Sequence, residues 1–476
     1  MTSRVGRAFV VLGLGEALAR IIGFAGTIYV ARTLGAESYG IISVAAAIVL
    51  YCSHLANYSV ELLGAREVAK GVGDDLQNAG RIRAVVDRLV PPLLLARLGI
   101  AAACILVLGV IGLWLMPQPD GFVLAVTALG LLPVAASTRF VFIGLERPMG
   151  AAISGVLGDT LALVVVLLFV HDTTDLSVVP VSRLVGEGAT ALVMVALLRR
   201  MGCALPPRRS PEIVRPLFAS ATPLVMHAIL GLAIFNSDLI FLRAMRDART
   251  AGMYAAAYTI ISFLLNLGVT YGTSILPVLT REQENGERQR ATYQQAMMQV
   301  IAVAVPVAVG GTLLAGGLVE LVFGDAYQEA VRPMQILMWS IVVAWVRNVV
   351  QMGLVAKDQQ TFVLRTTAWS ALANTLLNLA LIPVFGMPGA AAATLATEAL
   401  RTIVALRYAH QLALPFGVWA RLWRPLVAAA AMAAVLLTIP VPHVLLAVAV
   451  GMLVYGAALF ATGGLRLHNG RLDFRA

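Results

Sequence analysis

The sequence predicts an all-α polytopic membrane protein of about fourteen transmembrane helices, arranged as two matched sets of six followed by two more. Three observations carry this. Of 476 residues, 59% are hydrophobic and only 13% charged, with a mean hydropathy of +0.86, against roughly 25% charged in an ordinary soluble domain. Fourteen apolar runs reach the roughly 20 residues that cross a hydrocarbon core of about 30 Å. The connections between them are short, and the longest, Glu61 to Val90, is amphipathic, so no stretch is left to fold as a separate soluble domain.

The first run, Phe9 to Val30, exceeds a secretory h-region and ends in Ala31-Arg32 without a small-x-small exit, so it is expected to stay in the mature chain. Later runs centre near residues 51, 103, 132, 159 and 189, which completes a first set of six. A second set centres near 226, 261, 307, 344, 374 and 400, and two more runs near 430 and 453. The plan repeats: "ARTLGAESYGIISVAAAI" joins runs one and two, and "LRAMRDARTAGMYAAAYTI" joins runs seven and eight with the same small residues, Gly and Tyr. Run six carries Arg183 and Glu187 where run twelve carries Glu398 and Arg401, and Asp159-Thr160 in run five matches Asn374-Thr375 in run eleven. Six-helix repeats share one orientation and place a substrate site near mid-membrane. The expected divisions are residues 1–205, residues 206–415, and a C-terminal stretch 416–476 holding runs thirteen and fourteen and a tail. The linker "RRMGCALPPRRSPEIVRP" lies between the halves. Pro133, Pro223, Pro277, Pro306 and Pro383 fall in or at the ends of runs, where they kink helices that neighbours re-satisfy.

The net charge of +10 does not indicate nucleic acid. With both termini in the cytoplasm, inside loops and tails hold 25 Lys/Arg and outside loops 5, with Arg20, Arg97, Arg183, Arg347 and Arg401 inside runs. This positive-inside bias reports orientation and contact with anionic lipid head groups. One loop departs from it: Arg243, Arg246 and Arg249 follow run seven on the expected outer side, with Asp247 beside them, either as a solvated face or as an anion-capturing mouth. Cys52, Cys104 and Cys203 show neither metal nor disulfide spacing.

Charges inside the runs carry the functional reading. Glu16 and Arg20 are four residues apart on one helix face. Arg20 lies about 16 Å beyond Phe9 at 1.5 Å per residue, near mid-membrane, where a charge costs at least about 2.5–3.5 kcal/mol. It is expected either to form a structural pair with Glu16 or to offer its planar fork to phosphate oxygens of an anionic cargo. Arg183–Glu187 and Glu398–Arg401 are further pairs, structural or cavity-lining. Asn374 and Asn378 sit one turn apart, and Asp159 and Asp238 lack a partner in their own runs, which suits a proton or cation site. No Walker loop, GxGxxG, HExxH or Gly-x-Ser-x-Gly is present, and no cofactor or metal site is expected.

The stretch "EALARIIGFAGTIYVARTLGAESYGIISVAAAIV" resembles the opening of the polysaccharide biosynthesis flippases, the transporters of O-antigen and exopolysaccharide repeat units. "SDLIFLRAMRDARTAGMYAAAYTI", "LVFGDAYQEAVRPMQIL" and "NTLLNLALIPVFGMPGAAAATLATEALR" resemble that family's second half in order and spacing. The resemblance implies the fold of the multidrug/oligosaccharidyl-lipid/polysaccharide (MOP) superfamily, two six-helix bundles in a V around a central cavity. It also implies a cargo of undecaprenyl diphosphate bearing a short glycan, moved from inner to outer leaflet of a bacterial cytoplasmic membrane. Related lipid II flippases have first-helix arginines that line the cavity. Arg20 matches one of these, while Gly26 stands where a second is expected, a departure that points away from lipid II itself.

Three functions remain open at this stage. A lipid-linked oligosaccharide flippase leads, with glycan polymerase and glycosyltransferases as possible partners. A cation-coupled multidrug exporter of the same superfamily is the alternative, although embedded arginines favour anions. A membrane polymerase or ligase is third, and the short outer loops leave little room for its catalytic residues.

Overall fold

The computed structural model describes the backbone of all residues except 1, 74, 440–441, 469–470 and 475–476; the side chains of 2–14, 16 and 466–474 are also outside the description. Among the described residues, thirteen helical stretches are long and apolar enough to cross a membrane. The first holds two crossings. Helix α1 (Thr2–Asn57) is broken at Gly35, with φ 75° and ψ 173°, a backbone region that costs glycine little and other residues much. Gly15 and Ala19 line the same chamber as Ser53 and Asn57. A straight helix would hold Gly15 and Ser53 about 57 Å apart, so the chain folds back at Gly35. That makes fourteen crossings.

The chain divides into two compact units, Met1–Leu232 and Ala233–Ala476. In the first, α1 is followed by α2 (Val60–Val72), α3 (Ala79–Val110), α4 (Asp120–Leu129), α5 (Leu131–Ala136), α6 (Arg139–Gly144), α7 (Pro148–Phe169), α8 (Val178–Arg200) and most of α9 (Pro211–Phe235). Helix α2 is amphipathic rather than spanning. Val60, Gly64, Ala65, Val68 and Val72 form its buried face, while Leu62, Arg66 and Lys70 are exposed. It packs with α3, α6 and α8 around Val86, Leu93, Phe140, Phe142 and Leu198. A Cβ on Gly64 would stand 2.9 Å from the Phe140 ring, so only glycine lets the ring seat there. Tyr58 and Ser59, which join α1 to α2, both have positive φ, 46° and 54°. The Tyr58 ring stacks on Phe218 at 4.4 Å.

Crossing four is built in three pieces, α4, α5 and α6. The break at Ser137-Thr138 exposes helix-terminal carbonyls, and Arg97 on α3 answers them: its Nη1 donates to Ser137 O at 2.8 Å and its Nη2 to Val134 O at 2.7 Å. A fully buried arginine is thereby held by the backbone carbonyls that need donors. Helices α7 and α8 meet through glycine, since a Cβ on Gly158 would lie 2.6 Å from Gly186 O. The adjoining Thr190 hydroxyl donates to Ser154 O. Such small-residue contacts are how helices approach in lipid, where no hydrophobic force draws them together.

The second unit holds α10 (Ser237–Met245), α11 (Ala248–Arg281), α12 (Gly286–Leu313), α13 (Ala315–Phe323), α14 (Val331–Ala356), α15 (Gln360–Phe385), α16 (Met387–Gln411), α17 (Trp423–Thr438) and α18 (Val444–Ala461). A hairpin of two short strands, Leu465–His468 and Arg471–Phe474, follows. Gly268 faces Trp345 so closely that a Cβ would come within 2.3 Å of its ring, which brings α11 tight against α14. The Trp345 Nε1 donates to Leu264 O across that contact. Crossings thirteen and fourteen dock on α12, where the Tyr455 hydroxyl donates to Ala302 O at 2.6 Å.

Candidate functional site

In the first unit, the close approach of α7 and α8 brings Asp159 and Glu187, the residues after Gly158 and Gly186, to one chamber of about 310 Å³. Glu61 from α2, Arg139 from the start of α6, and Ser53 and Asn57 from the second half of α1 complete its polar wall. The Arg139 Nε lies 3.9 Å from Glu61 Oε1. Glu187 is open to solvent yet acted on by Asp159, Arg183, Glu61 and Arg139, as expected of a group lining an open chamber. Arg97 backs the chamber with its Nη groups spent on carbonyls, and among the described residues its buried Nε and the Asn57 Oδ1 have no hydrogen-bond partner. The surface therefore presents three carboxylates, one arginine head and several hydroxyls, a wall rich in acceptors.

Sequence reasoning found Asp159 and Glu187 but missed Glu61, Arg97 and Arg139 as members of one site. Glu61 and Arg139 lie at helix starts, outside the apolar runs where a charge draws notice. Arg183 acts on both Asp159 and Glu187, so it is electrostatically part of the group. Arg20 is exposed on α1, one residue past the chamber-lining Ala19. The Glu16 side chain lies outside the described residues.

The second unit holds two buried polar networks, both on α16. Asp238 is fully buried. Its Oδ2 accepts from the Tyr254 and Thr394 hydroxyls, each at 2.6 Å, and its Oδ1 accepts from Asn378 Nδ2 at 2.6 Å. That amide also donates to Asn374 Oδ1 at 2.9 Å, which accepts from Ser237 as well. Oxygen donors of this kind suit a proton or a hard cation; among the described residues no group of three or more His, Cys, Asp or Glu gathers as a metal site. One turn along α16, Glu398 Oε2 takes the Arg347 Nε at 2.7 Å, with the Arg401 Nη1 at 3.6 Å from Oε1. Arg401 Nη2 donates to Thr367 Oγ1, and Arg347 Nη1 to Gln351 Oε1.

These positions correct part of the sequence expectation. Glu398, Arg401, Asn374 and Asn378, candidates either for the cavity wall or for structural pairing, are buried among helices, with Glu398, Asn374 and Asn378 at 0% exposure. Their partners, Arg347 and Asp238, come from other helices, which repays the cost of burying charge. The arginine triplet is also redistributed. Arg246 Nη2 donates to Ile382 O and Pro383 O, capping the end of α15. Arg249 pairs with Glu329 at 3.0 Å, both exposed, rather than with Asp247. Asp247 instead caps α11, accepting from Thr250 N at 2.7 Å, and Arg243 is half-buried.

The family model described as polysaccharide biosynthesis protein matches residues 5–283, and that of the lipid II flippase MurJ matches 150–458. Two relatives come from Haloferax volcanii. The probable flippase AglR is 27% identical over 207 residues, 42% of this chain and 43% of that protein, so the match spans less than half of AglR. The probable low-salt glycan biosynthesis flippase Agl15 is 22% identical over 326 residues, 61% of this chain and 69% of its own. Among solved structures, the lipid II flippase MurJ in an inward closed conformation superposes with a TM-score of 0.77 at 11% identity, covering 95% of this chain and 98% of that one. An inward-facing multidrug resistance MATE transporter of the MOP superfamily gives 0.67 at 14%, covering 85% and 98%. At these identities the structural likeness shows the fold alone.

Proposed function

We propose, from the premise that the chain belongs to the polysaccharide biosynthesis protein family and is a multi-pass membrane transporter, that it flips undecaprenyl-diphosphate-linked oligosaccharide repeat units from the inner to the outer leaflet. The setting is a bacterial cytoplasmic membrane with both termini inside, and the product feeds an O-antigen or exopolysaccharide. The carrying observation is the pair of overlapping family matches, which together take in residues 5–458. In this reading Arg20 meets the diphosphate, because it is a cation exposed on the first crossing and one residue past the chamber-lining Ala19. The polyprenyl tail stays in lipid while the glycan passes by alternating access. Asp238 and Asp159 are the groups for ion coupling. Asp238 supports this best, since its carboxylate accepts from three side chains among the described residues, Tyr254, Asn378 and Thr394, and none of them is basic. Glycosyltransferases supply the lipid-linked unit and a polymerase consumes it.

The multidrug-exporter alternative has a shared fold in its favour, but its organic cations do not call for an exposed arginine at mid-membrane. Deleting the gene in its own host is expected to abolish surface polysaccharide and to accumulate the lipid-linked unit in the inner leaflet. Complementation with Arg20→Ala is expected to lose export by about tenfold or more, as for a lost charge-assisted contact, with Arg20→Lys partly restoring it. Normal translocation in the deletion strain ends the flippase reading; normal export by Arg20→Ala ends only the role of Arg20.

A further inference from the structure

Most crossings show lipid the side chains lipid favours. Exposed residues include Ile153, Leu157 and Leu168 on α7, Leu372, Leu376 and Phe385 on α15, and Leu445, Leu453 and Phe460 on α18. Helix α11 differs. Asn266, Thr270, Thr273, Ser274 and Thr280 are exposed and Ser262 is half-exposed. At 100° per residue these six fall within an arc of about 120°. From Ser262 to Thr280 the stripe runs about 27 Å, close to the full thickness of a hydrocarbon core. The opposite face, with Gly268 and Gly272, is buried against α14. The glycines pack inward as in any membrane helix, but the arc turned outward is largely polar, the reverse of a face meant for lipid.

The hydrogen bonds within the stripe give it a sign. Ser262 donates to Thr259 O, Thr270 to Asn266 O, Thr273 to Thr270 O, Ser274 to Tyr271 O and Thr280 to Leu276 O, at 2.7–3.0 Å. The Asn266 amide nitrogen donates to Ser262 O at 2.7 Å. A carbonyl oxygen only accepts, so each hydroxyl proton is committed to the helix and outward-facing lone pairs remain. The amide likewise shows its Oδ1. Five hydroxyls and one amide, whose second N–H stays free to donate, thus form a row in which neutral acceptors predominate.

We infer that this stripe of α11 is a rail for the glycan of the transported lipid, facing water and recognising hydroxyl and amide donors of sugars. The inference rests on the flippase reading and deepens it. Phosphate oxygens are acceptors and gain nothing from such a row, whereas a sugar is dense in O–H groups. The rail is uncharged, so many sugars pass it without being trapped, and its regular spacing lets a chain exchange one acceptor for the next while moving. Phe263 and Pro277 are exposed within the same arc, and exposed Leu267 and Val269 flank it with apolar surface.

Two measurements on the full chain in its own membrane test this. Asn266→Cys, Thr270→Cys and Thr273→Cys are treated with a charged methanethiosulfonate, which needs a water-borne thiolate, against Leu453→Cys on α18 as a lipid-facing control and the parent chain for the native cysteines. The rail positions are expected to react at least about tenfold faster than the control, because thiolate forms only where water reaches. Equal reactivity puts the stripe in lipid and overturns the inference. In export, the triple variant Asn266→Leu/Thr270→Val/Thr273→Val, at wild-type abundance, is expected to fall about tenfold or more, while Thr270→Ser/Thr273→Ser stays near wild type. Full export by the triple variant overturns the rail with the flippase reading intact. Export unaffected by gene deletion overturns the flippase reading, and the labelling result alone then decides whether the stripe meets water.

Discussion

Glu398 stands between two guanidiniums, Arg347 at 2.7 Å and Arg401 at 3.6 Å, with at most 10% side-chain exposure in any of the three. The triad's stability is conditional, since one carboxylate offsets two charges only while it remains. Removing one partner from a buried ion pair typically costs about 3–5 kcal/mol, whereas replacing the whole set with apolar residues is often neutral. Glu398→Ala is therefore expected to lower the melting temperature of the detergent-solubilised protein sharply, and Arg347→Met/Glu398→Leu/Arg401→Met to recover most of the loss. Unchanged melting of Glu398→Ala would refute a structural role. Spacing within one helix revealed the Glu398–Arg401 pair, but Arg347 lies 51 residues earlier, and no local pattern names it. Asp238 teaches the same lesson. It looked partnerless because its donors are Tyr254, Asn378 and Thr394, on three other helices.

Helix ends give their own evidence. Asp247 was legible as an acid among arginines, yet its work is to start α11: its side chain accepts the Thr250 backbone N–H, and that contact holds its carboxyl below the usual range. A carboxyl depressed in the folded state contributes stability above its unfolded value, near 3.9, and loses it as pH falls through the folded value. Asp247→Ala is thus expected to cost about 1 kcal/mol near neutrality, with the gap to wild type shrinking as pH falls through the lowered folded value of the cap. Melting curves of both proteins taken from pH 7 downward through the acid range measure the gap, and a gap that never narrows as pH falls would show that the cap is not what the substitution removes. Arg246 shows the limit of local reading. Its partners, the Ile382 and Pro383 carbonyls, lie 136 and 137 residues away, so sequence offered a free cation where the fold needed a cap. The α11 stripe was hidden for a different reason: Thr and Ser lower hydropathy too little to break an apolar run, and only exposure shows which way they face.

For the molecule as a whole, parity matters most. Thirteen crossings would put the termini on opposite sides and fourteen on the same side, and the choice turns on the break at Gly35 in the 56-residue α1. A helix of that length would run about 84 Å, far beyond a bilayer of about 30 Å, and Gly15 and Ser53 could not then border one chamber. Apolar runs one and two count as separate crossings by length alone, and the joint "ARTLGAESYG" between them offers both Gly35 and Gly40 as places to turn, of which the chain uses Gly35. The charge distribution independently asks for the same parity, since the 25-to-5 division of Lys/Arg arises only when both ends and the Arg199–Arg209 linker share the cytoplasmic side. Alkaline phosphatase, active only outside, is expected to stay silent when fused after Pro206 and after Leu465 and to report activity when fused within Thr173–Ser177. Activity after Leu465 with silence after Pro206 would mean an odd number of crossings between the two points, so the present assignment of crossings seven to fourteen would have to change. Activity at both with silence at Thr173–Ser177 would invert the molecule, placing the basic loops outside and leaving the positive-inside argument without force for this chain.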